Sequence, residues 1–213
     1  MNNRALESAV FCYHDKMNKS LNQKFFNRPA LKIAKELLGK FLVRRRPRKS
    51  ASSQRKSASR VAAIMITETE AYIGPHDLAS HASRGRTPRT EVMFGEAGRF
   101  YVYFTYGMHW MLNVVTDKKD YPSAVLIRAG VAQSQISDVR GQRSISGPAK
   151  LTKFLKIGKR FNGKIASRQT GLWFEDRDMK IKSSQIKRGP RIGVDYAKEW
   201  AKKKYNFRFD IKN

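Results

Sequence analysis

Residues 61–69 (Val-Ala-Ala-Ile-Met-Ile-Thr-Glu-Thr) constrain this chain most. They are rich in apolar and β-branched side chains, and a run of this length and kind reads as a strand. Three further strand-like runs follow at Phe100–Thr105, 111–116 and 124–128. Short turns join them, which favours antiparallel pairing, because a parallel return needs a long crossover. Residues 41–43 begin one more strand, and 172–174 and the neighbourhood of Phe207 are late candidates. Helices lie around these runs. Asn27 and Pro29 read as cap and first turn of a helix with Leu31, Ala34, Leu37 and Leu38 on one face, ended by Gly39. Gly147-Pro148 opens another, with Leu151, Phe154 and Leu155 on one side and Gly158 closing it. Residues 196–203 read as a basic helix. The expected fold class is α+β: a single domain with a curved, mainly antiparallel β-sheet and flanking helices. The domain is expected over residues 25–213, preceded by a tail at 1–24.

Charge restricts the partners. Forty-four Lys and Arg against 17 Asp and Glu leave a formal charge of +27, which points to a polyanion. Charge alone does not separate DNA from RNA or an anionic membrane. Hydrophobic residues are 40% of the chain, enough for a core. No stretch is long and apolar enough to span a bilayer. Charged side chains within the first twenty residues interrupt any signal-peptide core, so an interior compartment, cytosol or nucleus, is expected. Cys12 is the one cysteine, so no intramolecular disulfide forms. One Cys and four His are too few for zinc or iron–sulfur ligation, and no Gly-rich phosphate loop is present. No metal and no cofactor are therefore expected. Residues 44–60 hold eight Arg and Lys and no acid, a basic hairpin loop for which solvation and non-specific phosphate contact are both open readings.

Within this basic chain one acid stands in notable company. Glu70 lies at a strand end with Tyr72 two residues on, followed by the Gly74-Pro75 turn and His81. Glu68 and Glu70 share a face if the strand is regular and diverge if it ends at Thr69. A glutamate in such a protein ordinarily pairs with Arg or Lys. Tyr101 and Tyr103 share one strand face, where aromatics are more often core than site. Tyr106 sits past the strand end beside Gly107, where a ring is more exposed and able to wedge into stacked bases.

These residues, with Ala79-Ser80-His81, Arg84-Gly85-Arg86-Thr87-Pro88-Arg89, Asn113, the run 125–129 and Ser146-Gly147-Pro148, resemble the alkyladenine (3-methyladenine) DNA glycosylase family. The resemblance is to its monofunctional, non-helix-hairpin-helix type and covers roughly residues 25–210. It implies a repair enzyme that flips alkylated, and perhaps deaminated, purines out of duplex DNA. An activated water then hydrolyses the N-glycosidic bond and leaves an abasic site, with no cofactor and a monomeric protein on damaged duplex DNA. Glu70 would be the general base and Arg128 would order water and phosphate. Tyr72, His81, Tyr103, Asn113 and Ala79 would form the base pocket. Tyr106 would fill the gap in the duplex. Arg84, Arg86 and Arg89 flank the pocket loop and are expected on the DNA backbone. The chain departs from the family at Ala129-Gly130-Val131-Ala132, at Ala149 and at Tyr205-Asn206-Phe207.

The chemistry is consistent with such roles. A base inside a duplex hides its glycosidic bond, so the nucleotide must leave the stack at a cost of a few kcal/mol. An alkylated purine is cationic, attracts aromatic faces by about 0.5–2 kcal/mol per contact, and leaves easily. The sugar then takes on oxocarbenium character that a carboxylate stabilises. Two rivals use the same surface: a non-catalytic nucleic-acid-binding module, which binds without releasing base, and an RNA-binding domain, which prefers RNA and ignores lesions.

Overall fold

The long strand at residues 61–72 is buried over most of its length on both faces and occupies the middle of the sheet. The computed structural model describes residues 18–45, 61–133 and 143–211. In chain order the strands are β1 (Lys19–Ser20), β2 (Phe41–Arg45), β3 (Val61–Tyr72), β4 (Phe100–Thr105), β5 (His109–Thr116), β6 (Ser123–Gln133), β7 (Arg143–Ser146), β8 (Leu172–Asp176), β9 (Lys187–Gly189) and β10 (Asn206–Arg208). The α-helices are α1 (Gln23–Phe26), α2 (Ala30–Glu36) and α3 (Pro148–Leu155). The main sheet runs β1-β8-β2-β3-β6-β5-β4, and all its pairings are antiparallel. It branches because β3 and β6 outlast their neighbours: β10 takes the second half of β3 where β2 has ended, and β7 takes the second half of β6. The α+β reading with a mainly antiparallel sheet therefore holds. Among the described residues no helix is long and apolar enough to cross a membrane.

The core lies between the sheet and the helices. Ile33, Ala34 and Leu37 from α2 and its end, Leu151 and Leu155 from α3, and Phe26, Phe100 and Phe174 are all fully or almost fully buried in one cluster. Pro148 starts α3 without needing a donor, and Lys156 ends it in the left-handed conformation. Thr152 then donates to the Trp110 carbonyl at 2.8 Å, tying α3 to β5. Gly130 answers a close approach: a Cβ there would lie 2.2 Å from Ile64 Cγ2 and 2.4 Å from the Met65 carbonyl oxygen. The departure from the family at Gly130 is thus a packing matter between β3 and β6.

Several local expectations are corrected. The tail at 1–24 is too long, since β1 joins the sheet edge and α1 begins at Gln23; residues 1–17, with Cys12 and His14, lie outside the described residues. Asn27 closes α1 rather than opening α2, whose cap is Pro29, and α2 ends at Glu36, before Gly39. Arg44 and Arg45 belong to β2, not to the basic loop, of which residues 46–60 lie outside the described residues. Residues Asp195–Lys202 form a 3₁₀ element interrupted at Ala197 and Lys198, not a continuous basic helix.

Candidate active site

Glu70 is fully buried near the end of β3. Four donors hold its carboxylate. Oε1 accepts from the Ile192 amide at 2.8 Å and from Asn206 Nδ2 at 3.2 Å. Oε2 accepts from the Tyr72 hydroxyl at 2.9 Å and from Arg128 Nη1 at 3.3 Å. The two contacts on Oε2 come from the side chains that face the cavity described below. Arg128 owes its direction to an irregularity in the ladder. The β3–β6 register slips between Ile66 and Glu68 and slips back between Glu68 and Thr69, which leaves Thr67 and Arg128 out of the pairing. A bulge re-aims a side chain in this way. Arg128 Nε then lies 3.3 Å from Glu68 Oε1 while Nη1 reaches Glu70. Asn206 sits opposite Glu70 across β10 and donates to Glu68 Oε1 at 2.7 Å as well. Glu68 and Glu70 therefore converge on the same partners. Two carboxylates share one guanidinium, and the formal balance of −1 favours a cationic guest or a developing positive charge nearby.

Behind Tyr72 lies a second buried pair. Asp77 and Arg191 have no side-chain exposure and form a two-pronged ion pair, with Arg191 Nη2 2.8 Å from Asp77 Oδ1. Asp77 also accepts from the amides of Ile73 and Ala79, both at 3.1 Å. Arg191 donates to the Ala71 carbonyl at 2.8 Å and lies 4.7 Å from the Tyr72 ring centre. The pair thus fastens the segment after β3 to the segment that supplies the Ile192 amide to Glu70.

Rings make the opposite wall. His81 stands edge-on to Tyr103 with centres 4.6 Å apart, and its Nδ1 is 2.9 Å from the Tyr101 hydroxyl. Tyr101 and Tyr103 do share a face of β4, 5.4 Å apart, and Arg89 lies 5.4 Å from the Tyr103 ring centre. Burial, helped by the Arg89 and Arg84 charges, lowers the His81 pKa to about 4, so the imidazole is neutral at pH 7. Burial, then the Glu70 and Tyr103 charges, raises the Tyr72 phenol well above its ordinary value. Burial likewise raises Tyr103 and Tyr101. The walls are neutral aromatic surfaces beside one ionised cluster.

Between these walls is a cavity of about 370 Å³, within the ~300–1,000 Å³ common for small-molecule sites. Tyr72, Ala79, His81, Tyr103, Tyr106, Asn113 and Arg128 all line it, so the fold gathers the predicted pocket residues around one space. Glu70 lies just behind, reaching the cavity through Tyr72 and Arg128. Its carboxyl is in an ion pair, yet a cavity opens beside its partners. Asn113 is buried and donates to the Tyr101 carbonyl at 3.1 Å. Tyr106 and Gly107 both have positive φ in the β4–β5 turn, and Tyr106 is 82% exposed. A non-glycine residue held there is strained. All three loop arginines are exposed, and Arg86 in addition pairs with Glu91 and Asp120 and stacks on Phe94.

Sequence reasoning missed Asp77, Arg191, Asn206, the Ile192 amide and Tyr196, another residue of the lining. Asp77 carried a faint signal as an acid directly after the Gly74-Pro75 turn. The others come from the C-terminal segment, where the β10–β3 pairing sets Asn206 opposite Glu70 and the chain before β10 brings the Ile192 amide to it. Among the described residues no group of three or more His, Cys, Asp or Glu is placed to hold a metal ion.

Relatives share this chain over most of its length. A protein from Methanocella arvoryzae named as a 3-methyladenine DNA glycosylase is 44% identical over 195 residues, covering 88% of this chain and 90% of its own. One of the same name from Myxococcus xanthus is 43% identical, covering 85% of each. Another from Legionella pneumophila is 39% identical, covering 89% of this chain and 93% of its own. The family model described as methylpurine-DNA glycosylase (MPG) matches residues 24–213. With the buried glutamate, the aromatic cavity and this match in place, the chain belongs to the methylpurine-DNA glycosylase family.

Proposed function

We propose that this protein removes alkylated purines, and also deaminated ones, from duplex DNA by flipping the nucleotide into the aromatic cavity. As a member of its family it is a DNA glycosylase, a hydrolase of DNA repair. The observation that carries the proposal is the fully buried Glu70 carboxylate behind a cavity lined by Tyr72, His81 and Tyr103. The extruded base lies against these rings with Ala79 beside it. Asn113 narrows the pocket against the 2-amino group of normal guanine. Tyr106, already exposed and strained, takes the place left in the stack, offsetting an unstacking cost of a few kcal/mol. Arg84 and Arg89 meet phosphates, and Arg86 joins them only by leaving Asp120 and Glu91. The protein acts as a monomer.

The glycosidic bond breaks with its electron pair leaving on the base, which neutralises a cationic lesion. Positive charge grows on the sugar, where the net-negative Glu68–Glu70–Arg128 cluster stabilises it. Water attacks C1′ and gives its proton to Glu70, so the products are free base and an abasic site without strand cleavage. Every lone pair of Glu70 is engaged before DNA binds. Arg128, at 3.3 Å, is the weaker of the two contacts on Oε2. Its turning toward a DNA phosphate opens that oxygen to water. Neutral lesions need help at the leaving base. His81, about one molecule in a thousand protonated at pH 7, gives them an N–H hydrogen bond rather than a full proton.

The test is Glu70→Gln on duplex DNA carrying 3-methyladenine, following free base in single turnovers. The amide keeps the shape but takes no proton, and a fall of about 10²–10⁴ is expected. Base release at the wild-type rate overturns the assignment.

A further inference from the structure

Arg128 lies between the two glutamates of β3 and is bonded well to neither. Its side chain is only 12% exposed, yet it comes no nearer than 3.3 Å to either carboxylate. Charge-assisted pairs of this kind ordinarily close to about 2.7–2.9 Å. Arg28, Arg168, Arg177 and Arg191 do so in this protein, at 2.7, 2.8, 2.9 and 2.8 Å. Arg99 stands off at 3.7 Å, but its partner Glu96 is exposed and has water for company. Arg128 has no such relief. Its Nε is buried without a hydrogen-bond partner among the described residues, since the approach to Glu68 Oε1 is an ion pair without hydrogen-bond geometry. A buried donor left in this way is costly and calls for an explanation.

We propose that Glu68 is a positioning residue: it holds Arg128 off Glu70, so that the guanidinium is free to leave Oε2 when DNA is bound. The inference rests on the general-base role proposed for Glu70.

The two carboxylates leave the same strand two residues apart, and the slip in the β3–β6 register sets Arg128 between them. Each draws the guanidinium through a different nitrogen, and the midpoint satisfies neither. The carboxylates are not free to close the gap. Asn206 Nδ2 spans both, 2.7 Å from Glu68 Oε1 and 3.2 Å from Glu70 Oε1. The Ile192 amide and the Tyr72 hydroxyl fix Glu70 further. The next buried charges, Asp77 and Arg191, are committed to each other. Among the described residues no carboxylate other than Glu68 and Glu70 forms an ion pair with Arg128. Glu68 is therefore the group that counters the pull of Glu70. A cation suspended between two anions moves easily, because attraction lost to one is kept by the other. Nε stays beside Glu68 while Nη1 turns away, so one carboxylate serves as pivot and the other is uncovered. With Glu68 neutral the balance tips. Arg128 then closes on Glu70 and covers the oxygen that takes the proton from water.

Glu68→Gln tests this, since it keeps the size of the side chain and an oxygen for Asn206 while removing the charge. In a crystal structure of the variant, Arg128 Nη1 should lie about 2.7–2.9 Å from Glu70 Oε2. In single turnovers on duplex DNA carrying 3-methyladenine, base release at saturating protein should fall about tenfold, part of the 10²–10⁴ that a general base supplies. Affinity for the same duplex should stay within about twofold, because the loss falls on the chemical step. In an Arg128→Gln background no guanidinium is left to hold, and Glu68→Gln should slow release further by less than about threefold. Arg128 found at its wild-type distance in the variant overturns the proposal, as does base release at the wild-type rate. A tenfold loss repeated in the Arg128→Gln background also overturns it, since Glu68 would then act through its own charge. Failure of the Glu70 reading shows differently: Glu70→Gln would release base at the wild-type rate, whatever Arg128 does in Glu68→Gln.

Discussion

Replacing Asp77 with alanine should damage both the stability of this protein and its chemistry, for a calculable reason. Asp77 and Arg191 are wholly buried, and the carboxylate also takes two backbone amides. Removing one partner of a buried pair leaves an uncompensated charge, which costs about 3–5 kcal/mol. For a chain of this size each kcal/mol lowers Tm by about 2–4 °C, so the loss should be about 6–20 °C. Thermal unfolding followed by circular dichroism reads that number. Well below the lowered Tm, single-turnover base release should still be about tenfold slower. Arg191 precedes Ile192, whose amide holds Glu70, and it also stacks on Tyr72. The double variant Asp77→Leu/Arg191→Met separates the two effects. An apolar pair removes the stranded charge and should recover at least half of the lost stability, while base release stays slow. If Asp77→Ala melts within about 2 °C of wild type, the account of the pair as a fastening is wrong.

Two other outcomes are expected. Tyr106→Ala should weaken binding to lesion-containing duplex about tenfold while leaving salt-sensitive binding to undamaged DNA intact; equal loss of both would rule out a wedge at this position. His81, with a folded pKa of about 4 against an unfolded value near 6.5, gives a stability that is full above 6.5 and declines as pH falls toward 4, because the unfolded chain binds its proton first. Denaturant melts from pH 7 to 4 should show His81→Asn losing that part of the slope, at most about 3 kcal/mol and less for partial solvation. An identical pH dependence in both proteins would contradict the buried, neutral imidazole.

Much of this protein is determined by residue pattern alone. The apolar β-branched run of β3 marks a strand, and the short turns from β4 to β5 and from β5 to β6 dictate antiparallel pairing there, since neither is long enough to carry a crossover. Gly147-Pro148 marks the start of α3 because a helix start tolerates a missing donor. The residues from Tyr72 to Arg128 that line the cavity were legible through the resemblance to a known family, since residue pattern alone marked only Glu70 and the tyrosines as notable. Local pattern failed where tertiary packing overrode propensity: at Asn27, which closes one short helix instead of opening the next, and at 195–202, where the chain turns twice to keep Ala197 buried against Val194 and Ala79. Only the folded molecule brought Asn206 and the Ile192 amide to Glu70, and Arg191 to Asp77, across more than a hundred residues. The slip that aims Arg128 likewise belongs to the pairing of two strands and not to either one. Hydrogen-bond geometry at a buried carboxylate depends on register to within one residue. Register is a property of contacts distant in sequence, which no local run of side chains encodes.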